Sequence, residues 1–241
     1  MTVDAGSLVL ALAAVLVSTF VQFATGSGFG VLGGPLLLLI DPRLVPGPLL
    51  LLTLVVMLAV VWTERRGLRH LDLGWAAVGA VPAAVGALWL ARLMDQRVTE
   101  VVVGLVIAAG AVAGLAGWRV PQGRTTLIGA GVLGGALSTI AATPGPPVVV
   151  VYRAEELARY RANLSLFFVA TTVVSLGVYV ASGDLGQQDL VVAGWLAPGV
   201  ALGWAVARLL VRRVPPGVVR PAALALCVVS AGSLVASAVV G

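Results

Sequence analysis

Residues 20–40 read FVQFATGSGFGVLGGPLLLLI, a glycine-rich stretch that separates two strongly apolar runs. The run before the glycines, Ser7–Ala24, is long enough to reach across a lipid bilayer, whereas the run after them, Val31–Ile40, is too short to do so. A broken helix survives at membrane depth only where protein or a cavity satisfies its free backbone groups. The stretch therefore predicts a broken helical hairpin inside a membrane protein.

A second break of the same kind lies in the other half of the chain. Thr143-Pro144-Gly145-Pro146-Pro147 separates the apolar run Thr126–Ala142 from the short run Val148–Tyr152. Residues 33–38, GGPLLL, align with residues 145–150, GPPVVV, and each copy follows the first apolar run of its half. Matching interrupted helices in two halves are typical of secondary transporters with internal repeats.

The composition supports the membrane assignment. The chain has 241 residues, of which 60% are hydrophobic and 10% charged, against about 25% charged in a soluble domain. We therefore expect an all-α polytopic membrane protein. Its long apolar runs are Ser7–Ala24, Val45–Thr63, Leu73–Ala91, Val98–Gly117, Thr126–Ala142, Leu164–Ala181, Leu190–Leu209 and Pro221–Val240.

The positions of the arginines predict the topology. All fifteen basic residues are arginines, and basic residues collect in cytoplasmic loops, so a role with nucleic acid is not expected. Twelve of the fifteen fall in four loops: Arg65, Arg66, Arg69, Arg119, Arg124, Arg153, Arg159, Arg161, Arg208, Arg212, Arg213 and Arg220. Placing these loops inside makes each half a returning hairpin followed by three spans. The two repeats, residues 1–118 and 119–241, are then inverted, although Arg92 and Arg97 fall in a predicted outside loop.

The two breaks form the candidate binding site. A helix that begins at Val31 or near Pro147 would point free N–H groups and a positive dipole end at the break, which suits an anion. Neighbouring polar side chains could add donors. They are Gln22, Thr25, Ser27, Ser138, Thr139 and Thr143. The alternative is a pair of tightly packed kinked hairpins without a ligand.

Asn163 lies at the start of the run Leu164–Ala181. An amide at membrane depth is costly unless it is paired, which suggests a site or gate residue. A helix N-cap is the alternative.

The sequence argues against an enzyme. No charged residue or histidine lies in the middle of a predicted span, and there is no nucleophile–base pair, P-loop or metal-ligand cluster. We expect neither a cofactor nor a bound metal. A proton-coupling group would have to lie at a span end (Glu64, Asp72, Glu155 or Glu156) or be the substrate's own titrating group.

Both breaks resemble the TauE/SafE family of sulfite exporter-like membrane proteins. The similarity lies in residues 26–37, GSGFGVLGGPLL, in residues 135–149, GALSTIAATPGPPVV, and in residues 163–168, NLSLFF. This chain departs from the family at 141–144, AATP, where members have more glycines. The residues that the resemblance implicates are Gly28, Gly30, Gly33, Gly34, Pro35, Thr143, Gly145, Pro146 and Pro147.

The resemblance implies a multi-pass protein of the bacterial inner membrane. Its expected activity is transport, usually export, of a small anion such as sulfite, sulfoacetate or another organosulfur or organic acid. The expected partners are this anion and the lipid bilayer, and a homo-oligomer is compatible with the sequence. Two alternatives stay open at this point, a membrane enzyme that acts on a lipid phosphate and a non-transporting scaffold subunit.

Overall fold

The computed structural model describes residues 5–69, 72–93 and 120–213, together with isolated positions in the remaining segments. All regular structure in this part is helical, as the sequence predicts. The eight α-helices of these ranges are α1 (Ala5–Thr25), α2 (Phe29–Ile40), α3 (Gly47–Thr63), α4 (Gly74–Leu93), α5 (Arg124–Ala141), α6 (Gly145–Val151), α7 (Leu157–Ser182) and α8 (Gln187–Leu210). The predicted runs Val98–Gly117 and Pro221–Val240 lie outside the continuous described ranges.

Three of the described helices are long and apolar enough to cross a membrane. They are Gly6–Thr25, Leu157–Ser182 and Gln187–Leu210. Shorter apolar helices cover Phe29–Ile40, Gly47–Thr63 and Gly74–Leu90. Helix α7 begins at Leu157, seven residues before the apolar run Leu164–Ala181, because its polar first turns find partners inside the protein.

Buried polar and exposed apolar side chains are distributed as in a membrane protein. Leu39, Trp62 and Leu209 are each more than two-thirds exposed. Fully buried side chains include Ser18, Thr19 and Gln22. Large exposed apolar surfaces are rare on soluble monomers, and lipid is the solvent that suits this exterior.

Each broken hairpin returns the chain to the end of the bundle where it began. Ser7 and Asp41, near the start of α1 and just after α2, line one crevice together with Trp195. In the second hairpin, the Arg153 backbone N–H donates to Gln122 Oε1 at 3.0 Å, which joins the chain after α6 to the chain before α5.

The connections of the bundle collect at two ends. At the first, here called the Asp41 end, Gly47 lies so close to Asp189 that an added Cβ atom would be 2.7 Å from Asp189 Oδ1. At the second, the Asp72 end, Asp72 pairs with Arg159. The Arg124 guanidinium lies 3.8 Å from the Trp75 ring centroid there.

Small residues allow close helix packing in two pairs of helices. In the pair α4–α5, Cβ atoms added to Gly131 and Gly135 would collide with the carbonyl oxygens of Ala76 and Ala80. In the pair α1–α8, a Cβ atom added to Gly203 would lie 2.6 Å from the Leu16 carbonyl oxygen. Such close backbone approach is the usual role of small residues between membrane helices. Helices α3 and α7 pack against each other between these pairs.

Candidate functional site

The two breaks meet inside the protein. Thr143 Oγ1 donates to the Gly30 carbonyl oxygen at 3.3 Å and to the Ala141 carbonyl oxygen at 2.8 Å. A Cβ atom added to Gly30 would collide with the Ala142 carbonyl oxygen. The hairpins therefore touch through their backbones, at a position where only glycine fits.

A small cleft lies at this meeting point. Its lining residues are Gln22, Ser27, Gly28, Gly30, Val31, Thr53, Met57, Ala142, Thr143, Pro144, Gly145 and Phe168. Thr53 and Met57 lie near the middle of α3, and Phe168 lies near the middle of α7. The cleft is therefore at mid-depth of the bundle. Its open volume is about 10 Å³, room for about one water molecule, so a larger ligand requires the hairpins to separate.

Gln22 explains how the first break is tolerated. Its Oε1 accepts hydrogen bonds from the backbone N–H groups of Gly28 at 2.7 Å and Phe29 at 3.0 Å. The first four N–H groups of a helix have no partner within the helix, and Gln22 satisfies two of them. The next two backbone N–H groups, those of Gly30 and Val31, have no carbonyl acceptor within their own helix. The sequence predicts Gln22 as a donor, whereas its carbonyl oxygen serves here as a cap.

Two donors of the first hairpin lie at the cleft without a partner. Gln22 Nε2 and Ser27 Oγ form no hydrogen bond within the described part of the chain, although the two side chains are 0% and 1% exposed. An unpaired buried donor costs about 1–3 kcal/mol. A Cβ atom added to Gly145 would lie 2.7 Å from Ser27 Oγ, so this hydroxyl faces the second break.

Thr25 shapes the first break rather than lining the cleft. Its Oγ1 donates to the Val21 carbonyl oxygen at 2.9 Å and accepts from the Ser27 N–H at 3.2 Å. Gly26, between them, has a φ of +77°, a left-handed conformation that glycine adopts readily.

The second break offers fewer donors than the first. Helix α6 begins at Gly145 after Pro144, and Pro146 and Pro147 follow. Proline has no backbone N–H, so the only free N–H at this helix start is that of Gly145. The sequence suggests two equivalent helix N-termini. However, the N-terminus of α6 has one free backbone N–H, whereas that of α2 has two, and the first break also supplies side-chain donors.

Several other predicted site residues lie away from the cleft. Ser138 and Thr139 on α5 contact Ser175 Oγ of α7 at 3.1 and 3.0 Å, and Thr139 also donates to the Ala84 carbonyl oxygen. The remaining positions are packed in the hairpin helices α2 and α6. They are Gly33, Gly34, Pro35, Pro146 and Pro147.

Asn163 holds two segments together at the Asp72 end. Its Oδ1 accepts from the Asp72 backbone N–H at 3.1 Å, and its Nδ2 donates to the Arg159 carbonyl oxygen at 3.1 Å. The N-cap alternative is wrong, because α7 begins six residues earlier, at Leu157. Asn163 does not line the cleft.

Two arginines assigned to a cytoplasmic loop belong to α7 instead. Arg161 is only 6% exposed. Its Nη2 donates to the Ala24 carbonyl oxygen at 2.6 Å, and its Nη1 lies 3.5 Å from Glu64 Oε1. The sequence predicts no arginine beside the breaks, yet Arg161 packs against Gly26.

Arg159 belongs to a polar cluster at the Asp72 end. It binds Asp72 through Nε at 2.7 Å and Nη2 at 2.6 Å, and the Tyr152 hydroxyl donates to Asp72 Oδ2 at 2.8 Å. Burial, followed by the hydrogen bond to Asp72, raises the pKa of Tyr152 above its usual value, so this hydroxyl remains a donor. The polar residues just before Leu164 were the sequence signal for this cluster. Their carboxylate partners, however, are more than eighty residues away in the chain.

Comparison with protein-family models decides the family. The model described as "Sulfite exporter TauE/SafE" matches residues 10–234. The chain belongs to the TauE/SafE family. Comparisons of this TauE/SafE protein with curated proteins and with solved structures gave no match. Family membership and the apolar helices make it a multi-pass membrane transporter of small sulfur-containing anions.

Proposed function

We propose that this TauE/SafE protein exports a small anion across the bacterial inner membrane. Sulfite, sulfoacetate and related organosulfur or organic acids are the candidate substrates, and the cleft between the breaks is the binding site. The observation that carries the proposal is a mid-depth cleft with buried donors that have no protein partner. Inverted-repeat transporters bind substrate at such interrupted helices.

The donors at the cleft favour an anion over a cation. Gln22 Nε2 and Ser27 Oγ are unpaired, and α2 points its positive dipole end at the same space. The N–H groups of Gly30 and Val31 add to this set. An oxyanion would satisfy all four without a cationic side chain.

The helix contacts support the proposal of two inverted repeats, 1–118 and 119–241. We match α1 to α4 in order with α5 to α8, so that each helix of the first half has a counterpart in the second. The counterpart of the contact between α1 and α8 is then the contact between α5 and α4, and the contact between α3 and α7 is its own counterpart. The contacts α4–α7 and α8–α3 form a further corresponding pair. The two hairpins also open toward opposite ends of the bundle. Rocking of one repeat against the other would expose the cleft alternately to the two sides.

The experiment is ligand-dependent thermal stabilisation of the purified protein, followed by counterflow in proteoliposomes. The ligands are sulfite, sulfoacetate, taurine and small carboxylates. The test variant is Ser27→Ala, and the matched control is Ser18→Ala. Both serines are buried with an unpaired hydroxyl, but only Ser27 lines the cleft.

We expect stabilisation and counterflow with at least one anion. Ser27→Ala should weaken both by about 5- to 10-fold, because one hydrogen bond of about 1 kcal/mol is lost. Ser18→Ala should leave both unchanged. No response to any anion would refute the transporter proposal and favour a scaffold, and equal effects of the two variants would place the site elsewhere.

The orientation is tested separately by cysteine accessibility. Reporters at Ser182 and Arg65, in a Cys227→Ala background, lie at opposite ends of the proposed arrangement. We expect an impermeant thiol reagent to label the Ser182 position from the periplasmic face and the Arg65 position from the cytoplasmic face. Labelling of both from one face would refute the inverted topology.

A further inference from the structure

We infer that the cleft accepts its substrate as a monoanion. The substrate class is then a singly charged oxyanion, such as hydrogen sulfite or an alkyl sulfonate, and dianions such as sulfite itself or sulfate are rejected. This inference rests on the proposed function, adds the charge state of the bound species, and removes sulfoacetate, which is a dianion at neutral pH, from the candidate substrates.

The cleft has no charged residue in its lining. Its polar atoms come from backbone and from neutral side chains such as Gln22, Ser27 and Thr53, and its walls include Met57 and Phe168. The cost of moving an ion out of water rises with the square of its charge, so a dianion costs about four times as much as a monoanion of the same size. Neutral donors must offset that cost alone.

The donors present match one negative charge better than two. The free end of α2 is equivalent to about half a positive charge, and it acts with Gln22 Nε2 and Ser27 Oγ, which are unpaired. The second break adds little, because the prolines of α6 leave only the Gly145 N–H. A dianion would retain more than one uncompensated charge in a nearly dry space.

The nearest charged side chains already have partners. Arg161, at the Asp72 end of the cleft, contacts the Ala24 carbonyl oxygen and Glu64. It packs against Gly26, next to the cleft residue Ser27, but its guanidinium is held by those two partners and is not part of the cleft lining. The next pair, Arg159 and Asp72, is bidentate. Neither cation is free to hold the second charge of a dianion.

The test measures binding to the wild-type protein as a function of pH. Apparent Kd values are obtained from ligand-dependent thermal stabilisation for sulfite, methanesulfonate and sulfate, from below to well above the second ionisation of sulfurous acid. Methanesulfonate is a monoanion throughout, so it serves as the control for pH effects on the protein. Sulfate is a dianion throughout and has a similar arrangement of oxygen atoms.

Above that ionisation the apparent Kd of total sulfite should rise about tenfold for each pH unit, because the monoanion fraction falls by that factor. The Kd of methanesulfonate should stay constant, and sulfate should bind at least about 100-fold more weakly than methanesulfonate. A pH-independent sulfite Kd, sulfate binding as tight as methanesulfonate binding, or an equal pH dependence for methanesulfonate would each overturn the inference. These outcomes still show anion binding, whereas failure of the proposed function would give no binding of any of the three.

Discussion

The substitution Gln22→Glu should separate the structural role of this side chain from its binding role. The two side chains have nearly the same shape, and the introduced carboxylate keeps an acceptor for the N–H groups of Gly28 and Phe29. A carboxylate at a helix N-terminus is favourable by about 0.3–1 kcal/mol. Burial opposes this gain and favours the protonated carboxyl, whose carbonyl oxygen still accepts both bonds, so the fold should keep its stability while the introduced group is protonated. Gln22 Nε2, however, is replaced by an acceptor that faces the substrate.

The expected loss of binding follows from Coulomb repulsion. A carboxylate about 5 Å from a bound monoanion, at an effective dielectric constant of about 20, opposes binding by about 3 kcal/mol. That corresponds to a loss of more than about 100-fold in affinity. By contrast, Gln22→Leu removes the acceptor for two buried N–H groups and should cost about 2–6 kcal/mol of stability.

The assay is thermal unfolding with and without methanesulfonate, together with counterflow, at a pH high enough to ionise the introduced carboxylate. We expect Gln22→Glu to unfold near the wild-type temperature at a lower pH, where its carboxyl is protonated, and to lose ligand stabilisation at the assay pH. Gln22→Leu should unfold at a clearly lower temperature. Wild-type affinity in Gln22→Glu across the alkaline range would refute the assignment of Gln22 Nε2 to the substrate.

Two further substitutions test the contact between the hairpins and the closure of the bundle. Gly30→Ala should abolish most of the transport measured by counterflow, because its Cβ collides with the Ala142 carbonyl oxygen. The control is Gly34→Ala, whose Cβ meets only ordinary contacts at 3.6 Å and beyond. This variant should stay within about twofold of wild type in the same assay. Asp72→Ala should lower stability by about 1–3 kcal/mol in thermal unfolding, since it leaves the partly exposed Arg159 without its bidentate partner; an unchanged unfolding temperature would contradict this role.

The sequence predicts the hairpin breaks well and their chemistry only in part. Glycines and prolines interrupt helices for local reasons, so the breaks after Thr25 and Ala141 are visible in the letters. The sequence does not show that α2 starts at Phe29 rather than Val31, because this start depends on the Gln22 carbonyl oxygen folding back onto the beginning of the helix. Side-chain rotamers of this kind leave no periodic signal.

The residues at the Asp72 end show a different limit. Hydropathy places Arg161 in a loop and Asn163 at the very start of a span, because polar residues usually leave the membrane. Both are buried, since Glu64 and Asp72 from the first half of the chain supply partners. Local patterns cannot report pairings across so many residues. The second break differs from this, because its shortage of backbone N–H groups can be counted from the three prolines in the sequence.

The prolines around Gly145 have a kinetic consequence. In the proposed site, an anion would be held mainly by the α1–α2 hairpin, while the facing wall would provide a single backbone N–H. When the hairpins move apart, few hydrogen bonds to the anion would have to break on the proline side, so we expect the bound anion to oppose this opening only weakly. In the proposed transport cycle, the first half would then recognise the anion, and the second half would allow the cleft to open.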